Sequence, residues 1–160
     1  MSDIYSNPKV MEKFATGTTR DMDFVTNRLT DWESRYGKGN PFSGLTVRTI
    51  EESKILGNVV IGGGEEPNSS ELAYFLREDE WNKRYGSEMV GAVTLFYAPL
   101  LKRLGFCPPK CQEFDTIIAT SRDDNDPSFK ILAKSGFEKG ESSEKFGHQR
   151  HIYRLNLPKS

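Results

Sequence analysis

Cysteine is nearly missing from this chain, with only Cys107 and Cys111 among 160 residues. Two thiols flanking Pro108-Pro109-Lys110 cannot staple a disulfide scaffold. Without a second Cys/His pair at ligand spacing, they complete no zinc site either. Histidine is equally scarce: His148 and His151 sit close together but have no carboxylate cluster beside them, so free thiols and no bound metal are expected. Long apolar runs are also lacking, and none approaches the ~20 residues a membrane-spanning helix needs. Met1 to Val10 lacks the charged-then-apolar pattern of a leader, so a cytoplasmic location with no membrane partner is expected. Finally, neither sign of charge dominates. The 22 basic and 23 acidic residues leave a net charge of -1, which gives no overall attraction to nucleic acid or acidic lipid. Lys83-Arg84 and Lys102-Arg103 are separate pairs rather than an aromatic-laced basic stripe, so no nucleic-acid partner is expected. Anion binding, if present, has to be local.

What is present suits one compact domain over residues 1–160, because 36% hydrophobic content in a chain of this length supports a core without staples. Asn7-Pro8 starts a short helix through about Ala15, with proline tolerated in the first turn. Thr18-Thr19 offers a cap for a second helix, whose Met22, Val25, Leu29 and Trp32 recur at helical spacing and read as one core-facing stripe. Residues 42–50 and 54–61 read as a strand pair joined by a turn at Glu51-Glu52-Ser53, and Gly62-Gly63-Gly64 then breaks the pattern. Residues 71–76 form a third strand. Residues 86–104 fit a helix with Met89, Val90, Val93, Phe96, Leu100 and Leu104 on one face. The β-branched run 115–120 is typical of a buried strand, reached by a right-handed crossover. A helix from Asp126 through Lys134 ends at Gly136, and residues 137–141 and 149–157 close the chain as a hairpin.

One stretch carries chemistry on its own. Trp81-Asn82-Lys83-Arg84-Tyr85-Gly86-Ser87-Glu88 follows an apolar strand and opens a long helix. The first N–H groups of a helix lack partners, and its dipole favours a negative charge in front of them. A phosphate is a favoured occupant of such a site, and Lys83 and Arg84 add positive charge there.

Taken in order, the motifs resemble those of the GNAT superfamily of acetyl-CoA-dependent N-acetyltransferases, and within it the branch of the RimJ/RimL ribosomal-protein acetyltransferases. Glu71-Leu72-Ala73-Tyr74-Phe75-Leu76 is similar to the family's central strand, and Trp81 to Glu88 to its pyrophosphate loop. Asn125-Asp126-Pro127-Ser128 with Lys134-Ser135-Gly136-Phe137 is similar to its second cofactor motif, and Tyr153-Arg154-Leu155 to its closing strand. Together they span residues 7–157. The resemblance implies an α/β fold with a mixed, mostly antiparallel central sheet, a splayed central strand pair and flanking helices. It also implies acetyl-CoA as donor: Lys83, Arg84, Tyr85, Gly86, Ser87 and Glu88 around the pyrophosphate, backbone at Leu76 pairing with pantetheine, and Asn125 and Ser128 along the thioester.

Three departures from the family pattern stand out. The branch usually has glycine where Arg84 stands, so weakened or re-aimed phosphate binding is expected. Many relatives carry a tyrosine that protonates the leaving thiolate where this chain has Leu132, which makes Ser128 the candidate donor beside its ordinary role in the first turn of a helix. Relatives also usually have a strand before the helix corresponding to residues 7–15. Either the sheet lacks that strand, or a second copy covers the edge in a homodimer, or the natural beginning lies upstream.

The reaction implied is direct attack of a neutral primary amine on the thioester, which needs a base. Glu71 is the preferred candidate, against a plain role as a solvated strand-end charge. Tyr153 and His151 remain open, since strand alternation lets only one parity face the acceptor. The acceptor is a protein N-terminus or a small-molecule amine such as a polyamine or aminoglycoside. The competing reading is a catalytically weak or inactive module that binds acetyl-CoA or a partner protein.

Overall fold

The computed structural model describes residues 1–159. Two short helices, α1 (Ser2–Tyr5) and α2 (Pro8–Met11), precede the longer α3 (Met22–Gly37). Strands β1 (Gly44–Arg48), β2 (Ile55–Gly63) and β3 (Ser69–Leu76) follow as a meander. A single 3₁₀ turn (Glu78–Glu80) leads into α4 (Tyr85–Ala92), a π-helical segment (Val93–Tyr97) and α5 (Ala98–Arg103). The chain ends with β4 (Thr116–Arg122), α6 (Asp126–Lys134), β5 (Glu138–Lys145) and β6 (His148–Asn156).

The six strands form one sheet in the order β1-β2-β3-β4-β6-β5. Every neighbouring pair is antiparallel except β3–β4. A parallel pair needs a crossover, and the run α4 to α5 provides it. Alternation along β3 splits its side chains between two cores. Leu72 and Leu76 join Val59, Ile61, Val90 and Leu132 in the larger one. Phe75 points the other way, to Ile4, Tyr5, Val10, Met11 and Val25, and receives the ring edges of Tyr5 and Phe14 at centroid distances of 4.8 and 4.9 Å.

Local chemistry explains most boundaries. Asn7 caps α2 by accepting from the N–H groups of Lys9 and Val10, and Pro8 fills the first helical position. Asp21, rather than Thr18 or Thr19, caps α3 through a 2.8 Å bond from the Phe24 N–H. That start leaves Met22 in the first turn, 59% exposed, while Val25 and Trp32 are buried as expected. The helix expected over residues 7–15 is a single turn, with α1 ahead of it. Gly62 and Gly63 do not break β2 but continue it, paired with Glu71 and Ser70.

The largest correction concerns residues 86–104. Met89, Val90 and Val93 are buried, but Phe96 is 72% and Leu104 61% exposed, with Thr94, Ala98 and Leu101 buried instead. The π segment inserts an extra residue into one turn and rotates everything after it. Pro99 in the first turn of α5 explains why it lies there: the ring has no N–H to give the preceding turn, which is therefore free to widen.

Candidate active site

Strands β3 and β4 pair from Ser69↔Thr116 through Leu72↔Ala119 and then diverge, so residues 73–76 keep β2 on one side and have no strand on the other. The gap opens a groove of about 630 Å³. Tyr74 and Leu76 line one wall, Asn125, Ser128 and Ile131 the opposite wall, and Arg84 to Ser87 close one end.

The open edge exposes specific backbone groups. The Arg77 N–H donates to Leu56 O at 2.7 Å, so antiparallel alternation turns the polar groups of Tyr74 and Leu76 toward the gap. The Leu76 carbonyl already accepts from the Trp81 indole N–H at 3.0 Å. This bond fastens the loop to the strand, and by the same alternation the Leu76 N–H faces the groove.

Helix α4 begins beside that edge with its N-terminus uncapped. Helices α2, α3 and α6 each have a side-chain cap, but none is found at Arg84. The first intrahelical bond is Glu88 N–H to Arg84 O at 3.1 Å, so the N–H groups of Tyr85, Gly86 and Ser87 lie ahead of the helical ladder and line the groove. Gly86 packs against α6, where a Cβ would lie 2.7 Å from the end of the Ile131 side chain and make that side chain shift. Arg84 itself adopts φ 69°, a left-handed conformation natural to glycine. Its side chain is exposed at the groove's end.

Lys83 takes a different part from the one its sequence position suggests. It donates to Glu80 at 3.1 Å, and Glu80 also receives Lys54. Hydrogen bonds from these two ammonium groups hold the buried Glu80 carboxyl below the usual carboxylate range. Lys83 therefore braces the loop, while the exposed Arg84 side chain lies at the groove's end without an ion-pair partner among the described residues.

On the facing wall, Asn125 caps α6 by accepting from the Ser128 N–H at 3.4 Å. The Ser128 hydroxyl lies 2.9 Å from the Tyr74 hydroxyl. Burial pushes the Tyr74 phenol up to about 12, so it stays protonated at neutral pH. Sequence reading passed over Tyr74 as one strand residue among six. The signal that could have found it is parity: Leu72, Tyr74 and Leu76 share the face that packs on the helices carrying the cofactor motifs. Leu132 is fully buried in the core.

Glu71 lies on the other face of β3. Register places Glu71 with Thr120 and Arg122 on β4 and with Arg150, Ile152 and Arg154 on β6, on the side covered by the N-terminal helices. Its carboxylate is partly exposed and 3.6 Å from the Lys145 ammonium. The same register answers the parity question for β6: His151 and Tyr153 lie opposite Glu71, with His151 Nε2 3.1 Å from Asp123 and Tyr153 buried near Phe129. Cys107 and Cys111 are unbridged, away from these walls.

An uncapped helix start, an open strand edge and an elongated groove between them fit a ligand with a diphosphate and an amide-bearing arm, as in acetyl-CoA. Among solved structures, the chain is similar to an acetyltransferase of the GNAT family from Bacillus anthracis, at a TM-score of 0.74 and 18% identity, over 98% of this chain and 86% of that one. It is similar to a ribosomal-protein-alanine N-acetyltransferase from Brucella melitensis at 0.68 and 19%, over 98% and 91%. A third, from Salmonella typhimurium with its cofactor acetyl-CoA, matches at 0.70 and 18%, over 99% and 87%. At such identities the likeness carries the fold: a six-stranded, mostly antiparallel sheet flanked by helices. No match is found among curated protein sequences. The acetyltransferase (GNAT) domain family matches residues 1–138. The chain thus belongs to the GNAT acetyltransferases, enzymes whose acyl donor is acetyl-CoA.

Proposed function

We propose that this single domain transfers an acetyl group from acetyl-CoA directly to a primary amine, in the manner of the RimJ/RimL branch and in the cytoplasm. The observation that carries the reading is the conjunction of the splayed β3–β4 pair with the uncapped start of α4 at the end of the same groove. In this reading the N–H groups of Tyr85, Gly86 and Ser87 hold the pyrophosphate with Arg84 beside it, Glu88 completes the turn, and Lys83 braces the loop. The Leu76 N–H pairs with the pantetheine arm, and Asn125 and Ser128 flank the thioester.

The chemistry then divides between the sheet faces. The amine nitrogen attacks the thioester carbonyl carbon, the C–S bond breaks, and the nitrogen's surplus proton passes to Glu71, directly or through water. The departing thiolate meets the Ser128 hydroxyl, which Tyr74 supports by hydrogen bonding. A phenol held near 12 does not surrender its proton to a thiolate whose conjugate acid has a pKa of ~8.5. The pair therefore stabilises the leaving group by hydrogen bonding, and solvent supplies its final proton.

The acceptor is a protein N-terminus or a small-molecule amine. Incubating the protein and acetyl-CoA with peptides, polyamines and aminoglycosides, and reading products by mass, tests this. A gain of one acetyl group on one class supports transfer and names the acceptor class. The second reading is a weak or inactive module that binds acetyl-CoA, favoured by Arg84 in a glycine conformation and by Leu132 in place of a phenol. Binding of acetyl-CoA with no product across all classes favours it.

A further inference from the structure

Two charged side chains are buried among the described residues, Glu80 and Arg150. Their surroundings differ. Glu80 has two ammonium partners. Among the described residues Arg150, 6% exposed, has no carboxylate within ion-pair distance, and its Nη1 lacks any hydrogen-bond partner there. Its Nε and Nη2 donate to the Thr120 hydroxyl and carbonyl at 3.2 and 3.1 Å. A guanidinium out of water without a counter-ion is costly, and one unsatisfied donor adds to the cost.

The neighbouring charges do not settle it. Arg122 stands opposite Arg150 in the β4–β6 register and is itself taken up by Asp124, at 2.9 Å, and by the Glu12 carbonyl, at 3.2 Å. Lys145 is engaged by Glu65 and Glu71. Arg154 is engaged by Glu66 and Glu141. Burial and the Arg122 charge both push against protonation of Arg150, and Glu71, beyond ion-pair distance, favours it. The Phe146 ring, at the exposed turn between β5 and β6, lies 5.8 Å from the guanidinium carbon.

Position gives the imbalance a use. Thr120, which Arg150 grips, is one residue past the last β3–β4 pair, at the point where the strands part. Arg150 shares the sheet face of Glu71, the side opposite α6. An amine approaching the thioester from this face has Glu71 near its nitrogen and Arg150 near whatever hangs from it. We propose that the acceptor is an amine carrying an oxyanion, a carboxylate or a phosphate, and that Arg150 is the residue that selects it, the Phe146 turn moving aside to admit the group. This deepens the transfer reading above and rests on it. Polycationic amines are disfavoured by the same charge.

The test uses the full-length protein saturated with CoA and titrated calorimetrically with three probe series. These are aminoalkanoates with one to five methylenes, their terminal amides, and aminoalkyl phosphates of the same lengths. At least one carboxylate or phosphate probe is expected to bind tenfold or more tightly than its neutral counterpart. The better of the two anionic series identifies which oxyanion the site takes. Arg150→Gln is expected to abolish the preference and Arg150→Lys to retain part of it, with CoA affinity in both reporting an intact fold. Should both variants fail to fold, the wild-type comparison of acid with amide still decides. Equal affinity for acids and amides, or no binding of either series, overturns the proposal. Thiol release from acetyl-CoA in the same mixtures separates the two readings. Anion-dependent binding without release overturns transfer and leaves the anion site standing, whereas equal release from acids and amides overturns the anion site alone.

Discussion

Arg84 holds φ 69° at the start of α4, a conformation that costs an L-residue ~1–2 kcal/mol. Arg84→Gly removes that strain but makes the unfolded chain more flexible, which offsets up to ~1 kcal/mol. A net gain of about 0.5 kcal/mol in urea unfolding is expected, together with retained acetyl-CoA binding by calorimetry. Loss of binding would show that the guanidinium itself has become necessary for holding the phosphates. Glu71 gives the second prediction at this scale. Glu71→Gln keeps size and hydrogen bonding but cannot take a proton, so turnover is expected to fall ~10²-fold while acetyl-CoA affinity stays within about twofold. Unchanged turnover on the acceptor would remove Glu71 from the mechanism. Sequence alone brought Arg84 and Glu71 into view because each occupies a motif position. It did not reveal Tyr74 or the bracing role of Lys83, since both depend on partners, Ser128 and Glu80, whose proximity is created by packing.

Among the elements, the run from Tyr85 to Arg103 is where periodicity and structure part. A wheel at constant pitch puts Phe96, Leu100 and Leu104 in the core, and the π segment puts Ala98 and Leu101 there instead. Leu101→Ala is therefore expected to cost ~2–5 kcal/mol, and Phe96→Ala less than ~0.5 kcal/mol, both measured by chemical denaturation. The reverse order would mean the helix runs straight. Pro99 was the legible warning, because a proline inside a helical pattern removes an N–H and invites a local change of pitch. The strands were easier to read. Leu72 and Phe75 face opposite cores as alternation requires, and only ends defined by pairing, such as Gly62-Gly63 in β2, escaped.

At the scale of the whole molecule, ion pairs tie distant segments together. Asp3 of α1 meets Arg77 beyond β3, and Lys9 of α2 meets Glu78 at 2.6 Å. Arg154 joins β6 to Glu141 on β5 and to Glu66 in the loop before β3. Hydrogen bonds from Arg154 hold the Glu141 carboxyl down at about 2, against 4.5 for an ordinary glutamate. Because the folded value is the lower one, this contribution to stability is complete above pH about 4.5 and is lost as pH falls toward 2. The urea midpoint is expected to be flat from pH 7 to 5 and then to drop, with added salt weakening the dependence. A midpoint unchanged down to pH 3 would mean these pairs do not form in solution.

In the proposed reaction one groove, built from the β3–β4 splay and the start of α4, turns over acetyl-CoA on an amine. Free-thiol release from acetyl-CoA, followed in time with and without the amine panel, tests it most directly. Release is expected to depend on both enzyme and amine, to be abolished by heat denaturation and to fall with Glu71→Gln. Release that is absent with every amine, although calorimetry shows acetyl-CoA bound, would contradict it.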